Sequence, residues 1–205
     1  MSIVVGLTGQ TGAGKSTVSQ IFSENGFAVI NADIVAREVM EKDSPCLAEV
    51  AESFGSEVID DSGNLDRKKL AAIVFTDKSK LEMLNSVTYP FITKEILNKI
   101  NTFSGMGNSF ILLDAPTLFE SGADKFCDII ISVIADAEIR EQRIISRDNL
   151  TREQAHNRMN SQSDEEFFVS HSDYIINNNG TPENACKIAE EIADKIRSAE
   201  INNFF

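Results

Sequence analysis

Five short apolar runs stand out along the chain: Ile3–Leu7, Phe27–Ile30, Phe110–Leu113, Ile129–Ile134 and Tyr174–Ile176. They are rich in β-branched residues and lack polar alternation, as strands covered on both faces do, which predicts five buried strands. Between them, Thr17–Glu24, Ile34–Glu41, Asp77–Ile100, Glu138–Arg147 and Glu183–Ala199 repeat apolar positions at helical period. Strand alternating with helix calls for a parallel sheet with helices on its faces, an α/β fold. Ser44-Pro45 and Thr181-Pro182 mark helix starts, each pairing a capping side chain with a proline whose missing N–H costs nothing at the first helical position. Thr151-Arg-Glu-Gln154 has the form of a capping box.

The runs are unevenly spaced. Ile34 to Ser109 holds no convincing strand, so a helical lobe is expected between the second and third strands, and Thr151 to His171 reads as a smaller, very polar helical insertion. Without internal repeats or low-complexity linkers, the 205 residues are expected to form one domain. Its core would take about 1–33, 109–150 and 172–205, the lobe about 34–108 and the insertion about 151–171.

Composition narrows the function classes. With 42% hydrophobic and 25% charged residues, disorder is not the default. A formal net charge of −13 argues against nucleic-acid or anionic-membrane partners, so an anionic small molecule has to be met by a local basic pocket. Cys46, Cys127 and Cys186 lie far apart with no Cys-x-x-Cys spacing and read as reduced packing residues. The opening MSIVVGLTG lacks a basic region and a cleavage site, and no apolar run approaches membrane-spanning length. A soluble cytoplasmic protein is the expectation, with a monomer favoured and the oligomeric state left open.

The first run leads into Gly9-Gln-Thr-Gly12-Ala13-Gly14-Lys15-Ser16-Thr17, which matches G-x-x-x-x-G-K-[ST] and stands between a strand pattern and a helix pattern, as a P-loop must. Glycines let successive backbone N–H groups point inward at a phosphate, reinforced by the positive end of the following helix. Lys15 would reach the β- and γ-phosphoryl oxygens of ATP, and the Ser16 hydroxyl would coordinate Mg²⁺. The spacing is not the G-x-G-x-x-G of a dinucleotide site, and no Asn-Lys-x-Asp guanine-reading motif occurs.

Three further places bear on what the nucleotide does. Asn31-Ala-Asp33 closes the second strand, where carboxyl ends of parallel strands meet a ligand. Asp33 either accepts the proton of an attacking hydroxyl or caps the helix starting at Ile34. Arg140, Arg143 and Arg147 share a helix face, with Arg152 beyond, and either stabilise transferred phosphoryl charge or pair with Glu138, Glu141 and Asp148 on a solvated face. Asp114 ends the third strand as an Mg²⁺-supporting carboxylate would. Pro116, Leu118 and Phe119 after it form either an apolar shelf beside an acceptor or part of the core.

Along nearly its whole length the chain resembles the dephospho-CoA kinase family. The resemblance is carried in order by VVGLTGQTGAGKSTV, Asn31-Ala-Asp-Ile-Val-Ala-Arg37, Asn64-Leu-Asp-Arg67-Lys-Lys-Leu-Ala, Ile73-Val-Phe75, Leu84-Asn85 ahead of Tyr89-Pro90, and Pro116-Thr-Leu-Phe-Glu120. Arg143-Ile-Ile-Ser-Arg147-Asp148, Thr151-Arg-Glu-Gln-Ala, Arg158-Met-Asn-Ser-Gln162 and Asp173-Tyr-Ile-Ile-Asn-Asn-Asn179-Gly180 complete it. The resemblance implies a five-stranded parallel sheet of the P-loop nucleotide-kinase type, a helical acceptor-binding lobe and a small helical lid. It implies transfer of the ATP γ-phosphoryl group to the ribose 3′-hydroxyl of dephospho-CoA, with Asp33 as base, Arg143 and Arg147 on the lid, and adenine near Asn179 and Gly180. Acceptor contacts would come from Asp33, Arg37, Tyr89, Pro90, Pro116, Leu118, Phe119 and Glu120. Two positions depart from the family: its first Asp is Asn31 here, and its His-Pro is Tyr89-Pro90, which bears on acceptor affinity rather than on phosphoryl chemistry.

Overall fold

In the computed structural model, which describes residues 2–74 and 77–203, the five apolar runs become β1 (Ile3–Gly9), β2 (Ala28–Asn31), β3 (Phe110–Asp114), β4 (Ile129–Ile134) and β5 (Tyr174–Asn177). They form a single sheet in the order β2-β3-β1-β4-β5. The pairs β1·β3, β1·β4 and β4·β5 are parallel, with Leu7 opposite Asp114 and Gly9 opposite Val133. β1 is central, so both of its faces are covered, and Val5 and Leu7 are fully buried. This is why its sequence shows no polar alternation.

The helices are α1 (Lys15–Glu24), α2 (Ala32–Glu38), α3 (Pro45–Phe54), α4 (Arg67–Val74), α5 (Lys78–Gly105), α6 (Ala137–Asp148), α7 (Arg152–Asn160), α8 (Glu165–Ser170) and α9 (Pro182–Asn203). Ser44 caps α3 by accepting from the Leu47 amide at 3.1 Å, and Thr151 and Gln154 complete the capping box of α7. Of the Ile73-Val-Phe75 match, Phe75 lies outside the described residues.

The chain divides into two compact units, one of Met1–Ile30 with Thr102–Phe205 and one of Asn31–Asn101. In the first, Val18 and Phe22 of α1 and Ala185, Ala189, Ala193 and Ile196 of α9 pack with Leu112, Ile131, Val133 and Ile176 of the sheet. Each large apolar side chain so buried contributes roughly 1.5–3 kcal/mol. The expected insertion at 151–171 belongs to this unit as α7 and α8. The second unit has its own core of Cys46, Val50, Phe54, Val58, Leu70 and Val74, to which α3 and α4 contribute one apolar face each. Its boundaries fall at 31 and 101 rather than about 34 and 108: the chain turns helical directly off β2, and the end of α5 from Thr102 to Gly105 belongs to the first unit.

The cysteines are free. Burial pushes the Cys46 thiol up to about 11 and the Cys127 thiol, packed beneath Gly6 of β1, up to about 12. Among the described residues no helix is long and apolar enough to cross a membrane.

Candidate active site

The loop after β1 runs from Gly9 into α1 at Lys15. Two of its glycines sit where no other residue fits. Gly12 has φ +80° and a Cβ there would lie 2.8 Å from the Arg140 carbonyl oxygen, while Gly14 has φ +95° and its Cβ would run into the Asn178 side-chain amide. Left-handed backbone is cheap for glycine alone, and the missing side chains let α6 and the residues after β5 press against the loop.

Ala13, between them, is fully buried. Its carbonyl oxygen accepts from Asn178 Nδ2 at 2.7 Å and from Arg143 Nη1 at 3.3 Å, and Arg143 Nη2 donates to the Asn178 carbonyl oxygen at 3.1 Å. In a trans peptide the following N–H points opposite to the carbonyl, so fixing Ala13 O also fixes the direction of the Gly14 N–H. Asn178 is 6% exposed, and its Oδ1 has no protein partner.

Lys15 Nζ forms an ion pair with Asp114 Oδ1 at the end of β3, a pairing that the parallel register of β1 and β3 makes possible. Asp114 is 4% exposed, and such a buried carboxylate requires a cation beside it. In front of the loop lies a cavity of about 480 Å³ lined by Gly12, Gly14, Ser16, Thr17, Arg143 and Arg147, among others. Loop residues and two of the arginines singled out in the sequence thus meet around one space.

Several expectations are corrected. Arg143 and Arg147 stand on α6, ahead of the 151–171 insertion, and are not lid residues. Arg140 does not join them, because its Nε is turned to the Ala135 carbonyl oxygen at 2.9 Å, and burial holds its guanidinium below the usual arginine range. Arg147 is paired with Asp148 at 2.7 Å, which raises its own basicity. Arg152 pairs with Glu141 at 2.7 Å and so fastens α7 to α6. Arg158 adds a second tie to Asp148 at 2.6 Å.

Beyond α7, Gln162 Oε1 accepts from the Thr11 amide at 2.6 Å and links this helical insertion to the phosphate loop. Asn179 exchanges hydrogen bonds with Asp136, accepting from its amide at 2.7 Å and donating to its Oδ1 at 2.6 Å, and exposed Gly180 follows before α9.

After β3, Leu118 is fully buried, so it lies in the core and cannot present a surface to an acceptor. Phe119 is partly exposed and meets Phe167 of α8 edge-on with ring centroids 5.2 Å apart, with His171 at 5.8 Å. Pro116 is half-buried, its carbonyl oxygen accepting from Thr8 at 3.4 Å, and Glu120 is exposed.

The remaining expected residues belong to the second unit. Asn31 caps α2, its Oδ1 accepting from the Ile34 amide at 3.1 Å. The helix begins at Ala32, two residues before the expected start, so the cap is Asn31 and not Asp33, which is exposed in the first turn. Arg37 is exposed on the last turn of α2, and half-buried Tyr89 and exposed Pro90 lie in the middle of α5. Sequence reasoning missed Asn178 altogether. The run Asn177-Asn178-Asn179 carried a signal, since Asn178 stands two residues after buried Ile176 and strand alternation continued past β5 puts both on the same face.

Comparison with known proteins agrees with this geometry. The family model for dephospho-CoA kinase matches residues 3–184. The dephospho-CoA kinase of Fusobacterium nucleatum is 42% identical over 200 residues, covering 96% of this chain and 100% of that protein. That of Corynebacterium glutamicum is 36% identical and covers 94% and 98%. The solved structure of dephospho-CoA kinase from Campylobacter jejuni superimposes with a TM-score of 0.69 at 28% identity, covering 95% of this chain and 99% of that one. A match that runs from the first strand into the last helix, on a loop built to hold polyphosphate, shows that the chain belongs to the dephospho-CoA kinase family.

Proposed function

We propose that the protein transfers the γ-phosphoryl group of ATP to the ribose 3′-hydroxyl of dephospho-CoA, giving CoA and ADP. The observation that carries this reading is the pinned loop, in which the Ala13 carbonyl is held from behind by Asn178 and Arg143 while Lys15 is held at its mouth by Asp114. Amides fixed in advance cost no reorganisation when charge develops on the transferred group.

In this reading the amides of 12–17 and Lys15 neutralise the β- and γ-phosphates, and Arg147 meets the transferred charge from α6. Arg143, spent on Ala13 and Asn178, shapes the loop beside it. Asn179 and Gly180 line the adenine side. Asp33, freed of capping by Asn31, accepts the proton of the attacking hydroxyl. Arg37, Tyr89 and Pro90 of the helical lobe and Pro116, Phe119 and Glu120 after β3 serve the acceptor.

Mg²⁺ suits the donor set. That ion keeps several waters and takes one or two protein oxygens besides substrate phosphates, and the Ser16 hydroxyl in the cavity with the Asp114 carboxylate nearby supplies that number. When bound it would neutralise phosphate charge. We place the reaction in the cytoplasm, in a monomer, without nucleic-acid or membrane partners.

The test is titration of dephospho-CoA into protein with ATP and Mg²⁺, followed by mass. Appearance of CoA at a rate that saturates with dephospho-CoA is expected. Slow ATP hydrolysis indifferent to the acceptor overturns the reading.

A further inference from the structure

The stretch Arg158-Met-Asn-Ser-Gln162 has no part in the reaction as described, yet it is fastened at both ends. Arg158 Nη1 donates to Asp148 Oδ2 at 2.6 Å and fixes α7 to the end of α6. Past the end of α7, Gln162 Oε1 accepts from the Thr11 amide of the phosphate loop at 2.6 Å. The backbone around Gln162 is equally fixed. The Ser161 and Gln162 amides donate to the Asn157 and Met159 carbonyl oxygens at 3.2 and 3.3 Å, and Asp164 caps α8 by accepting from the Phe167 amide at 2.9 Å. Gln162 thus stands in a short connection with a closed helix end on each side, which keeps its side chain on Thr11. A main-chain N–H only donates, so Oε1 is the atom turned to Thr11 and Nε2 the atom turned away.

Thr11 opens the turn of the loop. Its N–H and the Gln10 carbonyl belong to one peptide, and in a trans peptide the two point in opposite directions. Gln10 O accepts from the Ala13 amide at 3.0 Å, so this peptide is held on one edge by the loop itself and on the other by Gln162. The turn from Gln10 to Ala13 has Gly12 third, at the φ of +80° that a type II turn needs there. Gly12 lines the nucleotide cavity with Gly14, Ser16 and Thr17. Asn178 and Arg143 hold the exit of the same turn through the Ala13 carbonyl, so the loop has a clamp at each end. Loss of Gln162 removes the clamp at the entry, and the direction of the Gly12 N–H loosens with it.

We infer that Gln162 is a positioning residue of the phosphoryl transfer, acting through Thr11 to aim the Gly12 amide at the transferred group. This role rests on the phosphoryl-transfer reading above, and falls to a residue to which the family resemblance gave no part. Its effect belongs to the transition state more than to binding, since donors aimed in advance matter most where charge develops.

Wild type, Gln162→Met and Gln162→Glu are compared. Methionine matches the length of glutamine and offers the Thr11 amide no oxygen, while glutamate keeps one in place. Exchange of the Thr11 amide with solvent, followed by NMR without nucleotide, is expected to speed up about tenfold in Gln162→Met and to return toward wild type in Gln162→Glu. In Gln162→Met, kcat is expected to fall roughly ten- to a hundredfold with the KM for ATP within about threefold of wild type, and Gln162→Glu recovers part of kcat. Gln162 is half-buried, so both variants are expected to fold, which thermal melting checks.

A Thr11 amide that exchanges alike in all three proteins overturns the inference. So does a folded Gln162→Met with wild-type kcat and only a lower melting temperature, which makes Gln162 a docking contact for the insertion. If the wild type makes no CoA, the parent reading falls by itself, and Gln162 is judged on hydrolysis of ATP, whose terminal phosphoryl group needs the same amide. A hydrolysis rate that drops in Gln162→Met upholds the positioning role, and one that holds removes it.

Discussion

Asn178 donates its side-chain amide to the carbonyl oxygen of Ala13 at 2.7 Å, across 165 positions of sequence. The bond ties the end of β5 to the phosphate loop, and removing it frees a buried carbonyl that Arg143 reaches only at 3.3 Å. Asn178→Ala is expected to weaken ATP binding about tenfold with a stability loss of about 1–2 kcal/mol. Asn178→Asp, which sets a carboxylate against a carbonyl, is expected to be worse on both counts. Calorimetry with ATP and thermal melting check this, and equal affinities for wild type and both variants would remove Asn178 from the site.

Gly14→Ala combines a backbone at φ +95° with a collision against Asn178. A stability loss of more than about 1 kcal/mol and loss of ATP binding are expected. An alanine variant that melts and binds like the wild type contradicts the packing described.

Lys15→Ala removes both a phosphate ligand and the partner of a nearly buried carboxylate. Turnover should fall about a thousandfold or more, and stability by a few kcal/mol through Asp114 left alone. Adding Asp114→Asn should restore much of the stability and none of the turnover. A double variant as unstable as the single one means that the pair does not act as a unit.

Asp33→Asn should cut turnover by about a hundredfold or more while leaving melting temperature and ATP affinity unchanged, because Asn31 caps α2. A drop in melting temperature with normal turnover would return Asp33 to a structural role.

Acid should loosen the joint between α6 and α7. Hydrogen bonds from Arg147, helped by Arg158, hold the Asp148 carboxyl below its ordinary 3.8, and the amides that Asp66 caps do the same for that group. Carboxyls with lowered folded pKa contribute stability in full above 3.8 and lose it as pH falls through the lowered value. Melting temperature should therefore decline as pH drops below about 4, and less steeply in Asp148→Asn. Identical acid slopes for the two proteins refute the assignment to Asp148.

Much of the fold was legible because strands buried on both faces must be apolar throughout, and β1 to β5 each fall within two residues of an apolar run. Caps such as Ser44 and Thr151 were legible because their chemistry is local. The phosphate loop was readable for the same reason, as its glycines, Lys15 and Ser16 are consecutive. What escaped depends on distant main chain. The partners of Arg143 are carbonyl oxygens, which every residue carries, and Lys15 meets Asp114 across 99 positions. Leu118 and Phe119 are adjacent apolar residues with opposite fates, and only the turn after β3 decides which faces inward.

The cysteines add one more consequence. Both substrate and product of the proposed reaction end in a free sulfhydryl, and mixed disulfides form through thiolates. With Cys46 held near 11 and Cys127 near 12, the ionised fraction of either at neutral pH is on the order of one in ten thousand or less. These two sulfurs therefore have little tendency to capture the enzyme's own product.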